Sequence, residues 1–501
     1  MMNKAKSIIV SVCILSLLVY AKGSWAQGCR KCQARHKAAN ALTLTLAQAS
    51  RLALINNFEI QLAKYDTWIA RTQDEQAQSI YDTIIEAEVS YRKNKAAQTS
   101  TLAGSKTLDN NYNIGLEKKF PTGTTVGVDF TNNRNWSDSS FATLNPSHDS
   151  ALGITLEQSL GKNFFGLQDR GNIKITQKDM AHAQFISFEK IEAALAAVQT
   201  AYWDLVLQRE LLKIEQRMVT HAKELLNINI EKIQDGLVEP PDVIAAESNY
   251  KKRINQKLLA QNQLQLKENV LRLMLNIEDR DMDIVPQEAM DMKLLTPVLE
   301  QTLQKAFDNR QDYKKALNKI ESNDIALSIK KNNLWPEINL EASLTRNGID
   351  DHFNQAISKI SEEDNPNIYT GIDFSMPLEN RKARSQLKAA ELQKARSLVA
   401  LKFLERQITI EIIDQVKSCA VLKQVAANAV NVAELETDKL AAEEKRFKYG
   451  RSNTDTLIRF QDDMTQALGD AAQAKFNYYA ARIELERRQG SLLKKYWQGA
   501  L

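Results

Sequence analysis

Apolar and polar residues alternate singly in some stretches of this chain and recur every three or four positions in others, and the two patterns come round twice. Ala87, Val89 and Tyr91 alternate with Glu86, Glu88, Ser90 and Arg92. Ile338, Leu340, Ala342 and Leu344 alternate with Asn339, Glu341, Ser343 and Thr345, and Ile372, Phe374 and Met376 with Gly371, Asp373 and Ser375. A period of two sends successive side chains to opposite faces, so these stretches predict strands with one apolar and one acidic side. A strand half-buried in a soluble domain would alternate in the same way. Two widely separated strand pairs with no further sheet to complete a core do not fit that reading.

The helical pattern is stronger. From about Asn172 to Asp235 there is no proline, which predicts a helix of roughly 95 Å at 1.5 Å per residue. Leu211, Met218 and Leu225 recur every seven residues with Ile214 and Ile228 beside them, the spacing of a coiled-coil seam. Alanine is dense at 193–201 and 467–481, where small side chains let neighbouring helices approach closely. A helix this long needs other long helices alongside it.

Both long helical runs stop at a glycine. QDGLVEPPDV at 234–243 and KYGRSNTDTL at 448–457 place Gly236 and Gly450 where a helix ends in the left-handed conformation. Pro240 and Pro241 then suit a first helical turn, and Ser452-Asn453-Thr454-Asp455 resembles a capping box with an acid in place of glutamate. The two stretches therefore predict helix-hairpin tips. Asp242 and Asp455 each offset the positive end of a helix dipole; in a ring of hairpins the same acids would also form a charged constriction. Tyr449 and Arg451 stand where they can bond to acids across adjoining hairpins, or simply be solvated.

The order of elements is duplicated. Ala53 to Ala63 matches Ala306 to Ala316, SYRKN at 90–94 matches SLTRN at 343–347, GITLEQSL at 153–160 matches GIDFSMPL at 371–378, and Gly236 matches Gly450. Each copy reads helix, strand, strand, very long helix, turn, helix, which indicates a pseudo-symmetric architecture. The first copy carries about 35 extra residues between its strands. They include YNIGLEKKFPTGTTVGVDF at 112–130, a hairpin signal around Pro121-Thr122-Gly123 whose place inside or outside a sheet alternation leaves open. Residues 134–149 and 350–367 read as exposed loops.

Composition agrees with long helices, since 501 residues hold only 17 Gly and 9 Pro. Lys4 and Lys6 precede an apolar run from Ile8 to Tyr20, and Ser24-Trp25-Ala26 supplies small residues for cleavage, so residues 1–26 read as an export signal. Its removal takes away three lysines and lowers the formal charge from +4 to +1, leaving no basic field for nucleic acid. Past the signal, no stretch reads as a transmembrane helix, so a bilayer crossing would be made by strands.

Cys29 and Cys32 in GCRKCQ fit a local disulfide in an exported chain, and Cys29 also fits a lipid-modified first residue. Ala26-Gln27-Gly28 lacks the leucine usual before a lipidated cysteine, and His36 alone does not complete a metal site. The five histidines are scattered, His182 and His221 reading as ordinary surface or interface residues, and no metalloprotease, phosphate-loop or nucleophile-elbow motif occurs. Nothing argues for an enzyme or a cofactor.

The export signal, the ordered duplication and the tips DGLVEPPDV and YGRSNTDTL together resemble the TolC family of outer-membrane efflux channels, from about Leu42 to Gly490. The resemblance implies a mixed, mainly α fold of two tandem pseudo-repeats, whose long antiparallel helical hairpins form a trimeric α-barrel below a shared antiparallel transmembrane β-barrel. Four strands per protomer, at 84–95, 151–160, 337–346 and 368–378, would make twelve. It further implies an efflux repeat at 27–278, a linker or equatorial segment at 279–300, a second repeat at 301–495 and a tail at 496–501. With so short a tail, an equatorial belt would be built mainly from about 279–300 and the N-terminal segment.

By the same resemblance the chain is an exit duct of a tripartite efflux or type I secretion system in the outer membrane of a Gram-negative bacterium. Its partners would be two further copies, outer-membrane lipid, a periplasmic adaptor and an inner-membrane pump. The tips Gly236, Leu237, Val238, Gly450 and Ser452 would meet the adaptor, and Asp242 and Asp455, with Tyr449 and Arg451, would line the periplasmic gate. Asp455 comes one residue earlier after its glycine than is usual in the family, and a second gate acid falls at the apolar Ile458, so the charged ring would be weaker. The competing reading is a periplasmic adaptor or structural coiled-coil protein that conducts nothing. Two equivalent hairpins with strands between them argue against it.

Overall fold

A computed structural model describes residues 41–97, 104–279, 282–291 and 297–496. The export signal read at 1–26 and the pair Cys29 and Cys32 lie outside the described residues. The first repeat begins with β1 (Ala41–Leu44), α1 (Leu46–Asn56) and α2 (Phe58–Gln78). Four strands follow: β2 (Thr83–Asn94), β3 (Thr107–Lys119), β4 (Thr124–Ser137) and β5 (Ser147–Ser159). The first helical hairpin is α3 (Leu167–Gln234) and α4 (Pro240–Leu275).

After β6 (Asp283–Pro286) the order returns with α5 (Leu299–Asn309), α6 (Gln311–Asn332), β7 (Glu337–Asp350), α7 (Phe353–Glu362) and β8 (Pro366–Ser375). The second hairpin is α8 (Arg381–Lys448) and α9 (Thr454–Arg488), and α10 (Leu492–Tyr496) follows it.

The duplication extends to where helices break. The α1–α2 break falls at Asn57 and the α5–α6 break at Arg310, the matching position. Asn57 caps α2 by accepting from the Ile60 amide (3.1 Å) and donates to the Met274 carbonyl (2.8 Å). Arg310 instead pairs with Asp312 (2.7 Å) and Glu411 (3.0 Å). The helices α3 and α8 have 68 residues each, about 100 Å long. The heptad reading of α3 holds: Ile214, Met218 and Leu225 are buried together with Leu440, Phe447, Leu457 and Met464 from the second hairpin, and Leu211 and Ile228 pack at the edge of that cluster.

The largest core gathers the ends of several segments. β1 pairs in parallel with β6, and Leu44 and Ile284 from this pair are buried with Ala49, Ala53, Leu195, Leu205, Leu271, Leu275 and Leu492. The Tyr202 hydroxyl donates to the Leu44 carbonyl (3.0 Å), while Trp203 stacks on Tyr479 with ring centres 4.1 Å apart.

The main sheet has the order β2-β3-β4-β5-β7-β8, antiparallel throughout. The 112–130 hairpin is therefore part of the sheet, which has six strands within one chain where the family resemblance implied four. The two expected loops are also narrowed: residues 138–146 remain a loop, while 134–137 and 147–149 belong to strands and 350–367 is mostly helix with strand at its ends. The β4–β5 ladder continues through Asn135 and Ser147, with the Ser150 hydroxyl donating to Asn132 Oδ1 (2.9 Å) where both residues are buried. Residues 353–362 form α7, which lays Ala356 and Ile360 against the sheet over Gly348, where a Cβ would stand 2.2 Å from the Ala356 carbonyl oxygen.

Candidate functional site

Two regions carry function-bearing geometry: the face-polarised sheet and the paired hairpin tips. In the sheet, register aligns one apolar residue from every strand into a single row, Ile85–Leu116–Val128–Ile154–Leu344–Ile368. All but Val128 are more than two-fifths exposed, so this row has no partner among the described residues; α7 covers the same face only farther out, over Gly348. The adjacent row on the other face is Glu86–Gly115–Asp129–Gly153–Thr345–Asn367. Glu88, Glu117, Glu157, Glu341 and Asp373 share that polar face by the alternation of the strands. Such a sheet is suited to separate hydrocarbon from water. Among the described residues no helix is long and apolar enough to cross a membrane.

At the opposite end of the helices, Gly236 and Gly450 adopt φ of +71° and +72°, with open space where a Cβ would sit. The Leu237 amide closes the first turn on the Lys232 carbonyl (2.9 Å), and the Arg451 amide closes the second on the Arg446 carbonyl (2.9 Å). Leu237 is 70% and Tyr449 81% exposed, Arg451 is exposed, and Val238 and Ser452 are half-buried. These turns have the same construction in both repeats.

The acids differ. Asp242 accepts from the Glu239 amide (3.3 Å) as half of a reciprocal cap on α4, whereas Asp455 is exposed in the first turn of α9. The cap of α9 is Asn453, accepting from the Thr456 amide (2.8 Å), and not Ser452 as the sequence pattern implied. The helix starts one residue later because Thr454 and Leu457 must both turn inward. Thr454 donates to Asn229 (3.1 Å) and Leu457 joins the buried cluster around Phe447.

Cross-links between the two hairpins were not foreseen from the sequence. Lys232 donates to the Phe447 carbonyl (3.0 Å) with its ammonium 3.9 Å above the Phe447 ring centre. His221 pairs with Glu444 at 3.4 Å, a bond that raises the histidine pKa and lowers that of the carboxyl. Further from the tips, the wholly buried Arg253 of α4 pairs with Asp462 of α9, which also holds Lys252 (3.4 Å). These contacts fasten hairpin to hairpin through polar groups, a bonding mode that exchanges readily for water when helices slide apart.

Residues 122–276, from the β3–β4 turn to the end of α4, match the family model described as outer membrane efflux protein. No curated protein matches the chain. Solved structures share the fold. The open state of the Neisseria gonorrhoeae MtrE outer membrane channel is 13% identical, with 89% of each chain covered and a TM-score of 0.65. The outer membrane protein VceC of Vibrio cholerae is 15% identical over 89% of this chain and 96% of that one, with a TM-score of 0.64. The Campylobacter jejuni CmeC outer membrane channel is 14% identical over 89% and 85%, with a TM-score of 0.63.

Proposed function

We propose, from the premise that the chain carries an outer membrane efflux protein domain in the fold of the TolC-family channels, that it is the exit duct of a tripartite efflux or type I secretion system. Three copies close their sheets into a wall through the outer membrane of a Gram-negative bacterium, and their helical hairpins into a periplasmic tunnel. The duct is passive. An inner-membrane pump supplies the cargo and a periplasmic adaptor grips the tips around Gly236, Leu237, Val238, Gly450 and Ser452.

The observation that carries this reading is one chain holding both a sheet with an exposed apolar row across all its strands and two glycine-tipped hairpins whose longer helices run about 100 Å. An apolar face of that size needs lipid, and unpaired strand edges in lipid need other strands. Acids on the polar face give the lumen a cation-attracting field. At the tips, Asp455, Tyr449 and Arg451 face solvent and are the groups placed to meet other copies or the adaptor, with Asp242 divided between capping and the gate. The His221–Glu444 and Arg253–Asp462 links hold the tunnel end narrow until the hairpins part.

Fractionation of cells making the full chain tests this. Recovery in the outer membrane as a detergent-stable trimer is expected. A monomer in the soluble or inner-membrane fraction would overturn it.

A further inference from the structure

We infer that the β-wall contains eighteen strands, six from each of three copies, with the 107–137 hairpin forming two staves of each copy's share; this rests on the trimeric duct proposed above. Three observations place the hairpin in the wall. Its strands lie inside the sheet, between β2 and β5, so removing them would leave those two without neighbours on that side. Leu116 and Val128 continue the apolar row that Ile85 begins and Ile154 extends, while Gly115 and Asp129 continue the polar row. A hairpin folded outside the wall has no reason to repeat both faces in register.

The inner turn is also anchored. Gly123 and Gly166 pack backbone against backbone, since a Cβ on Gly123 would stand 2.5 Å from the Gly166 amide nitrogen. The Gln158 side-chain Nε2 donates to the Thr122 carbonyl (3.1 Å). This seats the turn at the sheet–helix junction, level with the inner ends of β2 and β5.

The remaining edges are β2 and β8, and among the described residues each lacks a neighbour on its outer side. With an even number of antiparallel strands, β8 of one copy runs antiparallel to β2 of the next, so identical copies close without a mismatch. Both edges carry the apolar face, Val89 and Tyr91 on β2, Ile372 and Phe374 on β8, all about two-thirds exposed or more. The apolar residues of β2 lie farther from the helices than those of β8 along the shared register, the drift that tilted strands in a barrel produce. At equal tilt, eighteen strands give a bore about one and a half times as wide as twelve.

The test images the full chain in lipid nanodiscs by electron microscopy and probes the hairpin with spin labels. Eighteen strands around one threefold barrel are expected. Labels at Leu116→Cys and Val128→Cys, with Cys29 and Cys32 replaced by serine, should collide with oxygen and be shielded from a water-soluble nickel chelate. A label at Asp129→Cys should show the reverse. A twelve-stranded wall, or chelate access at 116 and 128 alike, overturns the inference and leaves the duct standing. Particles with no threefold barrel overturn both.

Discussion

The Lys119 ammonium, at the inner end of β3, stands 2.8 Å from the Asp169 carboxylate in the first turn of α3. Asp169 also accepts from Asn163 (2.8 Å), whose left-handed backbone (φ +61°) turns the chain from sheet to helix. One ion pair thus joins the inserted hairpin to the long helix below it.

That pair is expected to couple by about 1 kcal/mol, toward the upper range for an ion pair that is only partly exposed. A double-mutant cycle of Lys119→Met and Asp169→Asn, read from thermal unfolding, measures it. A coupling of zero would mean that this ion pair does not help to hold the hairpin.

Arg253 is wholly buried while Asp462, its partner on the other hairpin, is 41% exposed. Removing the acid strands a buried charge, so Asp462→Asn should cost about 3 kcal/mol, the low end for breaking a buried pair. Adding Arg253→Met should recover most of the loss. Denaturant midpoints of the single and double variants check this. A double variant less stable than Asp462→Asn would contradict it.

Gly236 and Gly450 have room for a side chain but not the backbone for one. Alanine at either position should cost about 1 kcal/mol from the left-handed conformation alone, and asparagine less. Equal stability of the alanine variants and the parent, by thermal melting, would show that the turns relax to another conformation.

The two tip acids should separate by role. Asp242→Asn weakens a reciprocal cap and should lower stability by roughly 0.5–1 kcal/mol, with a smaller effect on ions. Asp455→Asn touches no cap and should cost only its helix-dipole interaction, about 0.3 kcal/mol, while reducing cation preference or block by multivalent cations. Reversal potentials in a salt gradient, beside melting curves, distinguish the two. Unchanged selectivity in the double variant would leave both acids a purely local part.

The His221–Glu444 link makes the union of the hairpins pH-dependent. The hydrogen bond to Glu444 raises the His221 pKa, so its contribution is complete below the ordinary histidine value of 6.5 and is lost as pH rises through the raised value. The same bond lowers the Glu444 pKa, so that share is complete above 4.5 and is lost as pH falls through the lowered value. The link is therefore strongest between about pH 4.5 and 6.5. The melting temperature should fall between pH 6 and 8 more in the parent than in His221→Gln. Parallel profiles would contradict this.

The parts of this fold legible in the sequence are those set by local chemistry. The seam through Ile214, Met218 and Leu225, the glycine stops at 236 and 450, and the alternation of β2, β7 and β8 each follow from a residue and its near neighbours. Alternation names the faces of a strand and not its neighbours, so the place of β3 and β4 emerged only from register. Arg253 with Asp462 and His221 with Glu444 lie more than two hundred positions apart, and nothing local marks them as partners. The cap of α9 fell on Asn453 because both residue types cap well, and the packing of Leu457 decided between them. The short apolar spacing of α7, at Phe353, Ala356, Ile357 and Ile360, was a readable helix signal within a stretch otherwise rich in loop-forming residues.

The central claim is that copies of this chain enclose a continuous water-filled passage. Single-channel recording of the purified full chain in planar bilayers tests it most directly. The account predicts discrete, cation-preferring conductance steps that enlarge when Asp462→Asn loosens the tips. A detergent-stable, folded protein that gives no steps under any voltage, in the parent and the loosened variant alike, would contradict it.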